Sequence, residues 1–291
     1  MAKIYKIKAN MRFKKINDNI TLESFDSVRE FTKVSITRKP NTAFCGLDLS
    51  SERPFHKSWY GTTSFDAANK IMSKGYKEGC KSLLLCKDGI KIINEDIKAR
   101  TIKNYAGFTP CVPAALMGMP KSMYQKKKKV VKNPVINLYF DSGVSYNVGT
   151  DKMILGGKNL YSLCNYLDAH NIRVNLFIFI GVWIKANKHA FLSIKVKNSD
   201  MPINPQLISY PIIHPSFFRR HVFKWIETSK GTDYNELTRN YGVNSRYVDN
   251  NIRKTLLDAK ILDKNSYYVN VEECAKCSTL EDLLLRIGLK L

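Results

Sequence analysis

Acid is what this chain is short of. Asp and Glu together number 25 against 47 Lys and Arg, which gives a formal net charge of +22 and a pI near 9.6. Folding gains nothing from that excess, because like charges repel in a compact state, so the imbalance points to a polyanionic partner, nucleic acid first. An AT-rich coding sequence raises lysine and asparagine without any binding role, and that reading stays open. Long apolar runs are missing as well. The longest, Val174 to Ile184, is broken by Asn175 and Gly181 and suits a buried strand, so neither a membrane span nor a membrane partner is expected. The opening residues, MAKIYKIKANMRFKK, carry no apolar block or small-residue cleavage site of a secretory signal. Seven scattered cysteines, an odd number, then read as reduced thiols of an intracellular protein.

Catalytic and metal-binding spacings are also lacking. The five histidines form no HExxH, and no GxSxG elbow occurs. Gly156-Gly157-Lys158 lacks the first glycine of a phosphate loop; it is either a simple turn or an anion site at a helix N-terminus. Cys274-Ala-Lys-Cys277 is a lone CxxC with no second pair of ligands. No catalytic residue, metal ligand or cofactor is therefore assigned, and the expected class is non-enzymatic.

What is present is α/β patterning. Residues 1–228 read as a main domain with a basic arm at 1–40 and a core at 134–228, a mixed sheet with flanking helices. The arm is either a lysine-protected edge strand or a direct contact to polyanion. A helix is expected around Ser24–Lys33 and a strand at Val34–Arg38, and Ser64 caps a helix ending at Gly75. Strand Val135–Phe140, helix Met153–His170 and strand Ile172–Ile184 make a βαβ unit, followed by a hairpin into Phe191–Val196. Leu207–Ile213 is expected as a strand and Pro215–Thr228 as a helix. Arg219, Arg220 and His221 on that helix are phosphate ligands or partners of buried carboxylates, with a structural pairing favoured for at least one arginine.

Residues 229–291 read as a small separate domain. Between Thr232 and Leu262 a short amphipathic segment, a break at Tyr241-Gly242-Val243 and a longer segment from Ser245 to about Lys260 follow one another. Asn244 caps the second helix. This pattern resembles the winged helix-turn-helix of bacterial transcription regulators, with Tyr267, Val269 and Val271 as a wing strand and Glu281–Ile287 as a closing helix. With Val248, Ile252 and Leu256 inward, Arg246, Asn250 and Arg253 face outward beside Tyr247, placed for base edges. Lys254 and Lys264 reach phosphates. The local charge is modest, so the same fold could serve protein contact. A second cationic cluster, Lys126, Lys127, Lys128 and Lys129 with Lys121 and Lys132, is a solvated loop and a phosphate attractor at once.

Two further resemblances concern the core. INLYFDSGVSYNV is similar to the start of a von Willebrand factor A domain, where a DxSxS arrangement holds a divalent metal. Asp141 and Ser145 match, whereas Gly143 stands at the first serine. The segment Trp59-Tyr60-Gly61-Thr62-Thr63-Ser64 and the run His214-Pro215-Ser216-Phe217-Phe218-Arg219-Arg220 resemble a family of uncharacterised phage and prophage proteins. That resemblance implies viral origin and work in the host cytoplasm or virion. The expected function is nucleic-acid binding, duplex DNA first. The alternatives are a virion or assembly component, and an inhibitor of host defence or transcription acting on a host protein.

Overall fold

A computed structural model describes residues 12–38, 57–85, 100–127, 134–145, 147–232, 243–249 and 251–289. In chain order the elements are β1 (Arg12–Lys15), β2 (Ile20–Phe25), α1 (Val28–Thr37), α2 (Lys57–Tyr60), α3 (Phe65–Lys74), α4 (Lys77–Leu84), β3 (Arg100–Asn104), β4 (Thr109–Pro110), α5 (Val112–Leu116), β5 (Met123–Lys127) and β6 (Val135–Asp141). Then come α6 (Thr150–Ala169), β7 (Arg173–Lys185), β8 (Lys188–Lys197), α7 (Pro205–Ile213), a π-helical turn at Phe217–Val222, α8 (Phe223–Thr228), a 3-10 turn at Ser245–Tyr247, α9 (Ile252–Asp258), β9 (Ser266–Asn270), α10 (Val271–Lys276) and α11 (Leu280–Ile287). They form two compact units, residues 91–134 and the remainder.

The larger unit is a mixed α/β layer around a six-stranded sheet of order β1-β2-β8-β7-β6-β9. β6 runs parallel to both β7 and β9, β2 runs parallel to β8, and β7 with β8 forms an antiparallel hairpin. Alternation decides what each face holds. Leu138, Phe140, Val174, Leu176, Ile178, Leu192 and Ile194 point to one face and are fully buried beneath α6, α7 and the segments that follow them. Among the described residues the opposite face is only partly covered. Ile252 and Leu256 of α9 pack there on Ile20, Phe179 and Phe191. One register step away, Lys195, Phe177, Tyr139 and Tyr268 stand side by side on four neighbouring strands, each half-buried.

The expected β6-α6-β7 unit, the hairpin after it, the Ser64 cap and the closing helix are all present. Gly156 and Gly157 lie inside α6, so they are neither a turn nor a helix N-terminus. They let α6 press on backbone: a Cβ at Gly156 would sit 2.4 Å from the Val271 carbonyl oxygen, and one at Gly157 2.3 Å from that of Ile212. Gly157→Val should therefore lower stability by about 1–3 kcal/mol or more, read as a lower urea midpoint. An unchanged midpoint would mean that α6 and α7 are not in this close contact.

Three expectations are corrected. Val34–Thr37 continues α1 instead of forming a strand, because Phe31 and Ser35 lie on its buried side at helical spacing. Leu207–Ile213 is helical: Asn204 caps it by accepting from the Gln206 amide at 2.9 Å, and Pro205 opens it, where a missing N–H costs nothing. Its apolar residues on every side are those of a buried helix as readily as of a strand. The third correction concerns the separate C-terminal domain. Ser266–Asn270, expected as a wing, is the edge strand of the main sheet, with Val269 and Tyr267 packed on the main core. Residues 135–291 thus share one unit with the N-terminal part. The first helix of the expected helix-turn-helix falls on residues 233–242, outside the described residues.

The smaller unit carries a three-stranded sheet, β3-β5-β4, and the short α5. Lys126 and Lys127 are strand residues paired with Thr101 and Arg100, not loop residues as expected. Lys128 and Lys129 lie outside the described residues.

Among the described residues no helix is long and apolar enough to cross a membrane.

Candidate functional site

β6 and β9 end together, with Asp141 opposite Asn270. Ligand sites in open α/β sheets gather beyond the carboxyl ends of parallel strands, so this corner is the place to look. Asp141 is 1% exposed. Its carboxylate accepts from the Gly143 amide at 2.8 Å, from Asn244 Nδ2 at 3.0 and 3.1 Å, and from the Tyr268 hydroxyl at 2.6 Å. The Arg246 guanidinium adds an ion pair at 3.6 Å. Burial pushes the Asp141 carboxyl up from its ordinary range, while Arg246 and the three hydrogen-bond donors pull it down. A Cβ at Gly143 would lie 2.1 Å from Asn244 Nδ2. The position a serine would take in a DxSxS arrangement is therefore filled by that amide, and protein donors occupy the Asp141 lone pairs.

The same network settles where Arg246 and its neighbours go. Asn244 does cap the segment, accepting from the Arg246 amide at 2.9 Å. Arg246 also donates to the Tyr247 hydroxyl at 3.0 Å and to Glu272 at 3.1 Å, with its guanidinium over the Tyr247 ring at 4.9 Å. Tyr247 in turn donates to Glu272 and accepts from the Ser145 amide. Burial disfavours the charged Arg246, but the Asp141 carboxylate and Tyr247 hold its pKa above the ordinary arginine value. Two contacts fasten this segment to the β7-β8 hairpin: the Trp183 amide donates to the Val243 carbonyl at 2.9 Å, and the His189 side chain of β8 places Nδ1 2.9 Å from Ser245 Oγ. Arg246 is consequently not an outward recognition residue, and Val248, expected inward, is exposed. Asn250 lies outside the described residues.

Beyond the lock, Arg246, Tyr268, Asn270 and Glu273 join Asn251, Arg253, Lys254 and Arg286 around a cleft of about 520 Å³. Asp249 lines it too, but its carboxylate already accepts from the Asn251 amide at 2.8 Å and the Thr255 hydroxyl at 2.6 Å. Glu273 is held in the capping box of α10 with Asn270. Arg253, Lys254 and Arg286 stand exposed at the cleft, and none of the three has an ion pair within 4.0 Å among the described residues. The cleft is suited to oxyanions such as phosphate. Lys264 is exposed in the turn before β9 and does not line it. Arg286, Tyr268 and Asn270 carried no signal in the sequence, because the cleft is assembled from three separate segments.

The two motif halves flagged in the sequence meet elsewhere in the same unit. Ser216 Oγ donates to the Tyr60 carbonyl and lies 3.0 Å from Thr62 Oγ1. Arg219 donates to the carbonyls of Trp59 at 2.5 Å and Val148 at 2.7 Å, and Arg220 to Thr62 Oγ1 at 2.8 Å and the Thr62 carbonyl at 3.0 Å. Each guanidinium also covers a ring, Trp59 at 4.5 Å and Tyr60 at 4.4 Å. Gly61 allows this contact: its φ is +76°, and a Cβ there would strike Pro215 at 2.6 Å. Both arginines are fully buried against carbonyls and aromatic faces, a structural placement of the kind favoured for at least one of them.

One protein family, described as Domain of unknown function (DUF7192), matches residues 6–285. No curated protein and no solved structure matches the chain.

Proposed function

The chain belongs to the DUF7192 family of domains of unknown function, and within it we propose a phage-encoded, non-enzymatic protein that binds nucleic acid through a basic surface. The observation that carries this reading is the cleft where Arg253, Lys254 and Arg286 stand exposed beyond the ends of β6 and β9. Exposed cations with no carboxylate partner among the described residues, in a chain of net charge +22, suit phosphates. The lysines at 126–129 add phosphate affinity from the smaller unit. Viral origin rests on the resemblance of the two motif halves that form the arginine clasp.

Fluorescence anisotropy of the full chain with labelled oligonucleotides across a salt series tests the proposal. Affinity should fall linearly on a log–log plot. The variant Arg253→Ala/Lys254→Ala/Arg286→Ala should reduce that slope by about 2–3, one lost phosphate contact per cation. A slope equal to that of the unaltered protein would remove the cleft from the binding surface. Absence of any salt-dependent binding would remove nucleic acid altogether.

A second reading, inhibition of a host protein by direct contact, is favoured by a different feature. A groove of about 790 Å³ on the larger unit is lined by Val28, Ile36, Met72, Met201, Leu207 and Tyr210 and by the charged Asp26, Arg29, Lys33 and Lys74. Binding that changes little between low and high salt would favour this reading over the first.

A further inference from the structure

The half of the partly covered sheet face away from α9 carries a row of aromatic rings, of which Tyr139 and Tyr268 also pack against the α9 cluster. Aliphatic side chains fill most of the opposite face. Here β7, β6 and β9 contribute Phe177, Tyr139 and Tyr268 in one row, directly opposite one another in the register. The Tyr139 and Phe177 rings are parallel within 10° at 4.8 Å, close to the spacing between strands. Lys195 ends the row with its ammonium 5.7 Å from the centre of the Phe177 ring. The row below is amide-rich, with Asn175 donating to Asn137 at 3.0 Å, and exposed Arg173 lies beyond it. Asp263 is an acid beside this surface. Its carboxylate is engaged by the amide of Asn265 and the hydroxyl of Ser266, and lies 3.4 Å from Asn137. α9 packs on the other half of the face; among the described residues its cluster reaches Tyr139 and Tyr268 but not Phe177 or Lys195.

At the other end the row runs into the cleft, because Tyr268 lines it. Rings in line with a cationic cleft at one end and an ammonium at the other are complementary to one kind of polyanion. Its phosphates meet cations while its unpaired bases lie against aromatic faces. A duplex hides those base faces in its own stack and has no use for the rings. A purely phosphate-binding surface does not call for the partly exposed Phe177 ring either.

We propose that this half of the sheet is a stacking platform for single-stranded nucleic acid, on which Tyr139 and Phe177 receive bases while the cleft beyond Tyr268 and Lys195 hold the flanking phosphates; the proposal rests on the nucleic-acid reading above and narrows it. In that complex the Lys195 ammonium leaves the Phe177 ring for a phosphate and a base takes its place. Asn137 and Asn175 are within reach of base edges.

The test uses the full chain and three labelled probes: an oligothymidylate 15-mer, an abasic deoxyribose-phosphate 15-mer, and a 15-base-pair duplex. The oligothymidylate should bind at least tenfold more tightly than the abasic strand, and more tightly than the duplex at equal salt. Tyr139→Leu and Phe177→Leu keep apolar volume and remove the ring. Each should weaken oligothymidylate binding roughly 5- to 150-fold and leave the abasic strand unaffected. Equal affinity for the abasic and thymidylate strands, or for duplex and single strand, overturns the platform and leaves phosphate binding intact. Leucine variants that weaken both single strands alike do the same. If no probe binds, the nucleic-acid reading falls with it. The comparison of probes on the unaltered chain decides the matter even where a variant does not fold.

Discussion

Arg246→Ala is expected to lower the free energy of unfolding by about 3–5 kcal/mol, because it leaves the Asp141 carboxylate buried without its cation. The side chain is 7% exposed, and its three acidic or phenolic partners, Asp141, Glu272 and Tyr247, all lie within 3.6 Å. Solvent cannot take over these contacts. Adding Asp141→Asn to the variant should recover part of the loss, since an amide needs no counter-charge and still accepts from Gly143 and Asn244. A cycle of the two single variants and the double, followed by tryptophan fluorescence in urea, isolates the coupling. A loss below about 1 kcal/mol for Arg246→Ala would mean that the guanidinium is not committed to this lock and is free for a ligand.

Acid should unfold this protein early. His221 is fully buried between Phe65, Tyr210 and Phe217, and His214 is packed between Tyr76 and Tyr210 while its Nδ1 accepts from the Ser216 amide. Burial pushes His221 down to about 3 and His214 down to about 4, from 6.5 in an unfolded chain. Both folded values are depressed, so their stabilising contribution is complete above pH 6.5 and is lost as pH falls toward the folded values, where protons bind the unfolded chain first. At about 1.4 kcal/mol per pH unit and group, the pair removes roughly 5 kcal/mol between pH 6.5 and pH 4.5, a large part of a typical domain's stability. Asp141, whose carboxyl is pushed up by burial, acts in the opposite sense and makes this figure an upper one. The urea midpoint should therefore drop steeply over that interval, and His221→Phe should make the drop shallower by roughly half. A midpoint that stays level from pH 7 to pH 4.5 would contradict the burial of both rings.

The β6-α6-β7 unit was readable because its signals are local: alternation in Val135–Asp141, helical spacing through Leu160, Leu163 and Leu167, and alternation again from Arg173. The caps at Ser64 and Asn244 were readable for the same reason. Pairings between distant segments were not. Ser266–Asn270 alternates as an edge strand or a wing strand would, and nothing nearby reveals that its partner is β6. Arg246 fell to the same difficulty. At helical spacing it faces outward, and the carboxylate that draws it in belongs to a strand far earlier in the chain. Arg253 and Lys254 were placed correctly as exposed positions of α9 because Ile252 and Leu256 fix the inward side. Their neighbour Arg286 could not be paired with them without the fold. The motif halves around Trp59 and His214 were visible as unusual composition, but their meaning as an internal clasp required seeing Arg220 on Thr62.

The late position of β9 sets a timetable for synthesis. Its five residues close the open side of β6, yet about 120 residues separate the two in the chain. At ribosomal elongation rates the flank of β6 waits on the order of 10 s for its neighbour, with backbone donors and acceptors bare and Leu138 and Phe140 already gathered into apolar surroundings. The nascent chain thus passes through a stage in which an unfinished sheet is presented to the crowded cell, and it is there that chaperones have most to shield.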